Sequence, residues 1–194
     1  MRADAQAKRE IIAQAAKELI LREGIDISFR QIAAEASVGV ATVHRHFPTK
    51  FELLKAVMPK ILGDASAILM KNEVRWESDP RAAWREAVIQ LAEMAAVLLK
   101  DSIIVALAED PEAVAIRTIL LDDLQDLLAS LLKKATMHGY VSEELTPLQF
   151  HLGLGSVSRP LPEKVTEMVP GYSSWAVENF MAGLEATAKK NLGE

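Results

Sequence analysis

The sequence contains no cysteine, which excludes disulfides, thiolate nucleophiles and thiolate metal ligands. It also lacks a long hydrophobic run. One of the longest uninterrupted apolar stretches, IIVALA at 103–108, is far short of the ~20 residues that a membrane span requires. The N-terminal stretch MRADAQAKRE is charged throughout and has no apolar segment of a secretory leader. We therefore expect a soluble, cytoplasmic protein that does not contact a membrane.

The charge that is present is unevenly distributed along the chain. The 194 residues are 50% hydrophobic and 25% charged, with a net charge of -5, which is typical of a globular protein of one or two domains. Residues 1–60 carry ten Lys/Arg against seven Asp/Glu, and the rest carries twelve against twenty. A basic N-terminal part followed by an acidic remainder favours a DNA-binding head joined to a separate body.

Helix signals dominate the sequence, and strand signals are nearly absent. SFRQ at 28–31, TKFE at 49–52 and TPLQ at 146–149 have the pattern of capping boxes, and Asp-Pro pairs at 79–80 and 110–111 are typical helix starts. The stretch 156–172, with three prolines, is predicted to be a connection. Caps and apolar spacing together predict helices over 4–23, 29–36, 40–46, 50–73, 80–99, 101–108, 111–138, 146–156 and 173–190.

The predicted fold is therefore all-α, with a three-helix head and a larger helical body, about nine helices in total. The second and third helices are joined by Ser37-Val38-Gly39. Two helices joined by such a short turn form a helix-turn-helix, whose second helix enters the DNA major groove. The cluster His44, Arg45, His46 and Lys50 would then meet phosphates. A metal site is not predicted, because His44 and His46 point about 200° apart around a helix.

The stretch IIAQAAKELILREGIDISFRQIAAEASVGVATVHRHFPTKFELLKAV at 11–57 resembles the N-terminal domain of TetR-type transcriptional regulators. The resemblance implies a helix-turn-helix domain at 1–50 and a helical ligand-binding and dimerisation domain at 51–194. In this family the turn usually has a glycine and then a serine, whereas here Ser37 and Gly39 are exchanged. Ser37 must then adopt any strained backbone that the turn requires, and Gly39 is an acceptable helix N-cap.

The resemblance also implies a role for individual residues of the head. Arg30 occupies a position that often reaches a base or a phosphate, and 40–42 form the base-facing edge of the recognition helix. His44 replaces a tyrosine that usually contacts phosphate, and Lys50 matches the phosphate-binding lysine. The residues implied in DNA binding are Ser28, Arg30, Val40, Ala41, Thr42, His44, Arg45, His46 and Lys50.

Two sites are expected in the body. Aromatic and methionine side chains lie in the segments that would surround a family-type ligand pocket, although such residues can equally be ordinary core: Trp76, Trp84, Met94, Met137 and Tyr140. GLGS at 153–156 lacks the lysine and preceding strand of a phosphate loop, so close helix packing at a dimer face is favoured. The residues predicted for that interface are Gly153, Gly155, Met181, Gly183 and Leu184.

We therefore interpret the chain as a sequence-specific DNA-binding transcriptional regulator. The predicted mode is a homodimeric repressor on a pseudo-palindromic site in double-stranded DNA, released by an unidentified small-molecule ligand, with no cofactor and no catalytic or metal site. An activator is a near alternative. A helical enzyme or small-molecule-binding protein with a vestigial head is a more distant one, and no nucleophile, metal cluster or phosphate loop supports it.

Overall fold

The structure, a computed structural model, describes residues 2–24, 26–98 and 111–192. Within these ranges it contains helices and turns but no strand, which confirms the all-α prediction of about nine helices. The predicted helix at 101–108 lies outside the described residues. The helices are α1 Arg2–Glu23, α2 Phe29–Glu35, α3 Val40–His46, α4 Lys50–Lys71, α5 Arg75–Ser78, α6 Pro80–Leu98, α7 Pro111–Met137, α8 Pro147–Ser158, α9 Glu163–Met168 and α10 Tyr172–Leu192.

Capping side chains account for most of the helix starts that the sequence predicts. Ser28 and Gln31 form a reciprocal capping box at α2, and Thr146 and Gln149 repeat it at α8, with Pro147 at the first helical position. Asp79 caps α6 by accepting from the Ala82 amide at 3.0 Å. Each of these carboxylate, hydroxyl or amide groups bonds an amide that the first helical turn leaves without a partner. The predicted boundaries of these helices consequently agree with the observed ones within two residues.

One compact unit contains Met1–Asp64 and therefore α1, α2, α3 and most of α4. Here α2 packs against both α1 and α3. Apolar side chains from all four helices are buried in this unit: Ile12, Ala16, Ile20, Ile32, Val43, Phe47, Leu53 and Val57. The α1 residues recur every four positions, so one stripe of the helix faces this core.

A second compact unit contains Ala65–Ala96 and Leu121–Glu194, so the boundary between the units falls inside α4. Its core is built around aromatic rings. The Trp84 ring lies 5.7 Å from the fully buried Phe150 ring and stacks at 6.4 Å on Tyr140. Helices α8 and α10 pack together in this unit. No helix in the described ranges is both long enough and apolar enough to span a bilayer.

The segment 156–172 differs from its prediction, because it contains the six-residue helix α9. The Pro162 carbonyl accepts bonds from the Val165 and Thr166 amides at 2.8 and 3.0 Å, which starts the helix after the proline. None of the residues of α9 is buried. The helix therefore has no inward apolar stripe, and hydrophobic periodicity could not have revealed it.

Candidate nucleic-acid interface

The turn between α2 and α3 has the strained backbone that the exchanged serine and glycine predict. Ser37 has φ 53, in the left-handed region, and Gly39 is the N-cap of α3 with φ -73 and ψ 146. The Val38 amide bonds the Ala33 carbonyl at 2.9 Å, which closes the end of α2. A side chain in the left-handed region costs about 1–2 kcal/mol relative to the right-handed one. The sequence thus places a Cβ where the family usually has none.

Substitutions in this turn should show the cost of the exchange. Ser37→Gly should raise the free energy of unfolding by about 1 kcal/mol, since glycine adopts the left-handed region without strain. Gly39→Ser should raise the free energy of unfolding by a few tenths of a kcal/mol, because its hydroxyl can cap α3. There is room for this side chain, since a Cβ at Gly39 would meet only Thr42 Oγ1, at 3.8 Å. Urea unfolding of both variants measures the change. Gly39→Ala is the control, because it adds the Cβ without the hydroxyl. A lower midpoint for Ser37→Gly would contradict the strain argument.

Helix α3 has an inward and an outward face. Val43 and the following Phe47 are buried with 0% of their surfaces exposed, whereas Val40, Ala41, His44 and Arg45 are exposed. Residues four apart on a helix lie on one side, so these four side chains form one outward patch. Thr42 and His46 lie at its edge and are half-buried. We refer to Val40, Ala41, His44 and Arg45 as the α3 outer face.

Two contacts fix the side chains around this outer face. The His44 ring meets the Phe29 ring edge-on, with centroids 4.7 Å apart, and so joins α3 to the first turn of α2. The Ser28 hydroxyl accepts from the Gln31 amide at 3.2 Å, so it is already engaged in capping α2. Arg30, on the same turn of α2, is exposed. Arg30 therefore lies on the surface, and Ser28 stabilises the start of α2, the helix to which Arg30 belongs.

Lys50, the first residue of α4, is the last of the cations that the resemblance implies in DNA binding. Its Nζ lies 3.6 Å from an Asp26 carboxylate oxygen, and both side chains are well exposed to solvent. An exposed pair of this kind is worth only about 0–1 kcal/mol, so a phosphate can replace the carboxylate at little cost. Thr49 caps α4 by accepting from the Glu52 amide at 3.1 Å, which holds Lys50 at the helix start.

Sequence reasoning missed the ionic contacts that join α1 to the rest of the head. Arg22 bonds Glu35 at 3.1 and 3.3 Å, linking the end of α1 to the end of α2. These hydrogen bonds lower the pKa of the Glu35 carboxyl and raise the pKa of the Arg22 guanidinium. Arg9 contacts the end of α3 through His46 and Phe47. The partners are far apart in sequence, and nothing in the local pattern of α1 distinguishes Arg9 from Lys8.

A family model described as bacterial regulatory proteins, tetR family, matches residues 12–57. This range contains α2, α3, the strained turn and the start of α4. This segment of the chain is similar to the N-terminal region of that family. The α3 outer face lies on the second helix of the helix-turn-helix within it. No curated protein gives a significant match over the chain.

Solved TetR-type structures share the fold over nearly the whole chain. A TetR transcriptional regulator from Streptomyces coelicolor is 22% identical, with 91% of this chain and 97% of that chain covered and a TM-score of 0.58. FadR, a fatty acid degradation regulator from Bacillus halodurans, is 20% identical, with 92% and 94% covered and a TM-score of 0.56. RolR in complex with resorcinol is 15% identical, with 98% and 95% covered and a TM-score of 0.56.

The residues predicted for a ligand pocket are not all in one place. Trp76 and Trp84 are buried in the core of the second unit, and Met94 and Tyr140 pack partly buried against it. Met137, by contrast, is 76% exposed. Four of the five side chains therefore share one cluster, whereas Met137 faces solvent at the end of α7.

The residues predicted for a dimer interface also differ in how far they are exposed. Gly155 and Met181 are buried, and Leu184 packs partly buried against the core of their own unit. A Cβ on Gly153 would lie 2.7 Å from Phe180 Cε2, so this glycine permits the close approach of α8 and α10 within one chain. Gly183 is exposed, with open space around its Cβ position. Of these five residues, Gly183 is the exposed one.

Proposed function

We propose that this protein is a transcriptional regulator of the TetR family, a homodimeric repressor that binds a pseudo-palindromic operator and is released by a small molecule. The observation that carries the proposal is the α3 outer face, which presents exposed side chains while Val43 and Phe47 anchor the helix from behind. A recognition helix needs this division, because one side must be rigidly packed and the other must fit the major groove.

The chemistry of the outer face suggests how the operator is read. Val40 and Ala41 offer small apolar surfaces that suit thymine methyl groups, and Arg45 can donate two hydrogen bonds to guanine. Arg30 and Lys50 flank the helix as cations that suit phosphates, which position the protein without carrying sequence information. His44, held edge-on by Phe29, belongs to the same outward patch.

The dimer is proposed to form through an exposed apolar surface on the late helices. Leu148 and Leu152 lie one turn apart on α8, and Trp175, which is 60% exposed, packs at 5.6 Å on Tyr172 at the start of α10. Exposed large apolar side chains on two helices that pack together are the kind of surface that a protein partner covers. A second copy covering it would allow two recognition helices to enter successive major grooves, ~34 Å apart.

Release by a ligand is proposed from the aromatic cluster of the second unit. The cluster includes Trp84, Tyr140 and Trp76, and such side chains suit a flat aromatic molecule. Resorcinol, an aromatic diol, is the ligand of RolR, a protein of the same fold. Ligand binding and operator binding would oppose each other by one coupling free energy, whichever is measured. Neither a cofactor nor a chemical step is needed for this mechanism.

Selection of random duplex DNA by the purified protein, read by sequencing at near-physiological salt, tests the proposal. We expect enrichment of a two-fold-symmetric motif, because two α3 outer faces related by a dimer axis read two half-sites. The Arg45→Ala variant, selected in parallel, should lose enrichment at one position of each half-site. Salt-sensitive binding without any enriched motif would contradict the proposal. Enrichment of a single half-site would contradict the homodimer alone.

The enriched duplex then becomes the assay for the ligand. A collection of small aromatic and fatty acid compounds is added to the protein–operator complex, and release is measured by fluorescence anisotropy. A compound that releases the operator should bind the protein more weakly when the operator is present, by the same factor. A compound that instead tightens operator binding would indicate a co-repressor, and the released-repressor mechanism would be wrong.

A further inference from the structure

Arg9, near the middle of α1, contacts the end of the recognition helix. Its guanidinium donates a hydrogen bond to the backbone carbonyl of His46, the last residue of α3. The guanidinium carbon also lies 4.1 Å from the centroid of the Phe47 ring, which is fully buried. Arg9 itself is half-buried. One side chain thus makes both a polar and an aromatic contact with the point where α3 ends.

The end of α3 needs a hydrogen-bond donor from another part of the chain. The last carbonyls of any helix have no amide within the helix to bond. The Phe47 amide bonds the Val43 carbonyl at 2.8 Å, and the backbone then leaves the helix with φ -136 and ψ 88 at Phe47. In a continued helix the Lys50 amide would bond the His46 carbonyl, but the chain leaves the helix at Phe47 and Lys50 starts α4. Arg9 donates to this carbonyl instead.

We infer that Arg9 is a positioning residue for DNA recognition. By holding the His46 carbonyl and the Phe47 ring, it fixes the C-terminal end of α3 relative to α1. The α3 outer face, which includes His44 and Arg45 in the last turn, is then presented at one defined angle. This inference rests on the proposed function, since it requires α3 to be the helix that reads the operator.

The chemistry of the contact favours arginine over lysine. A guanidinium is planar, so it can lie over an aromatic ring while its edge donates to a carbonyl, whereas an ammonium is a compact charge that cannot do both. A positive charge near a helix C-terminus is also favourable, because the partial charge there is negative. Lys8, the neighbouring residue, is exposed and has the same charge, and it therefore makes a matched control.

Three variants of the full-length protein test the inference: Arg9→Ala, Arg9→Lys and Lys8→Ala. Their affinities for the selected operator and for a random duplex are measured at several salt concentrations, after circular dichroism shows unchanged helix content. We expect Arg9→Ala to lose about 10-fold or more in operator affinity, because both the stacking contact and the charged hydrogen bond are lost. Arg9→Lys should lose nearly as much, because an ammonium cannot make both contacts at once. Random-duplex affinity and the salt dependence should stay near those of the Lys8→Ala control.

A direct phosphate contact by Arg9 predicts a different result. Arg9→Lys would then keep most of the affinity, and Arg9→Ala would lower the slope of log affinity against log salt by about one unit. Either outcome, or wild-type operator affinity in both Arg9 variants, overturns the inference.

Hydrogen exchange tests the contact without DNA. In Arg9→Ala the Phe47 amide, which closes α3, should exchange faster than in Lys8→Ala, because the end of the helix has lost its anchor. Equal exchange in the two variants overturns the inference. If the wild-type protein selects no duplex, the proposed function is wrong. The exchange experiment still shows whether Arg9 holds the end of α3.

Discussion

Gly153→Val should lower the free energy of unfolding by about 3 kcal/mol, at the upper end of the usual cost of overpacking a core. The reason is the contact between α8 and α10. A Cβ at residue 153 would lie 2.7 Å from Phe180 Cε2 and 3.0 Å from Phe180 Cζ. Real Cβ atoms do not approach a ring so closely, and valine adds two further methyl groups. Urea unfolding followed by circular dichroism measures the loss.

The Phe180 ring cannot simply turn away from the added side chain. It packs 6.0 Å from the Phe150 ring, which is fully buried and lies 5.7 Å from Trp84. A displaced Phe180 would disturb this chain of aromatic contacts, so the strain spreads into the core of the second unit. Close-packed interiors transmit such strain because they contain few voids that could absorb it.

Two further variants separate the clash from other effects of the substitution. Gly63→Val makes the same change at a helical glycine with open space around its Cβ position, so its effect on stability should be small. Phe180→Leu shortens the opposing side chain, and Gly153→Val should cost distinctly less in that background. An equal cost in both backgrounds would show that the α8–α10 contact is not the cause.

The same experiment bears on the predicted dimer interface. A clash within one chain lowers stability equally at all protein concentrations, whereas damage to an interface between subunits acts through a concentration-dependent equilibrium. We expect the cost of Gly153→Val to be independent of concentration. The small size of Gly153 then serves the packing of α8 on α10, and the proposed dimer would form through other residues, such as Leu152 and Trp175.

The head could be predicted closely from its sequence because its determinants are local. The capping box of Ser28 and Gln31 and the turn at Ser37 and Gly39 each involve residues three apart or fewer. Backbone sterics at one residue and hydrogen bonds within one helical turn decide these features. The left-handed backbone at Ser37 is implied by the resemblance, because this position of the turn usually has a glycine.

The contacts that the sequence could not reveal join residues that are remote along the chain. Arg9 meets Phe47, and Gly153 meets Phe180, in each case through the packing of two helices. Periodicity identifies which face of a helix is apolar, but it does not say which residue of another helix lies opposite. For the same reason the exposed Met137 and the buried Trp84 could not be distinguished as pocket residues.

The largest effects on function are expected at Arg45 and Lys50, and the two should differ in kind. Arg45→Ala should weaken operator binding about 10- to 100-fold, because a bidentate contact with a base is worth about 1–3 kcal/mol. Its effect on random duplex should be much smaller. Lys50→Ala should weaken binding to all duplexes alike and reduce the salt slope by about one unit, as loss of one phosphate contact does. Fluorescence anisotropy across a salt series measures both.

Lys55→Ala is the matched control for Lys50→Ala, since it removes the same charge from an exposed position further along α4. It should leave affinity and salt slope close to those of the wild type. A slope reduced equally by both substitutions would mean that the head acts through its overall charge and that Lys50 makes no specific contact.

A substitution at Asp26 is expected to raise DNA affinity, in contrast to those at Arg45 and Lys50. Its carboxylate lies 3.6 Å from Lys50 Nζ in the protein without DNA, so it competes with phosphate for that cation. Asp26→Asn should therefore raise affinity for any duplex, by about 3-fold given the small energy of an exposed pair. In the Lys50→Ala background the gain should shrink, because the competition no longer exists. A full gain in that background would indicate that Asp26 acts by repelling the DNA itself, with Lys50 uninvolved.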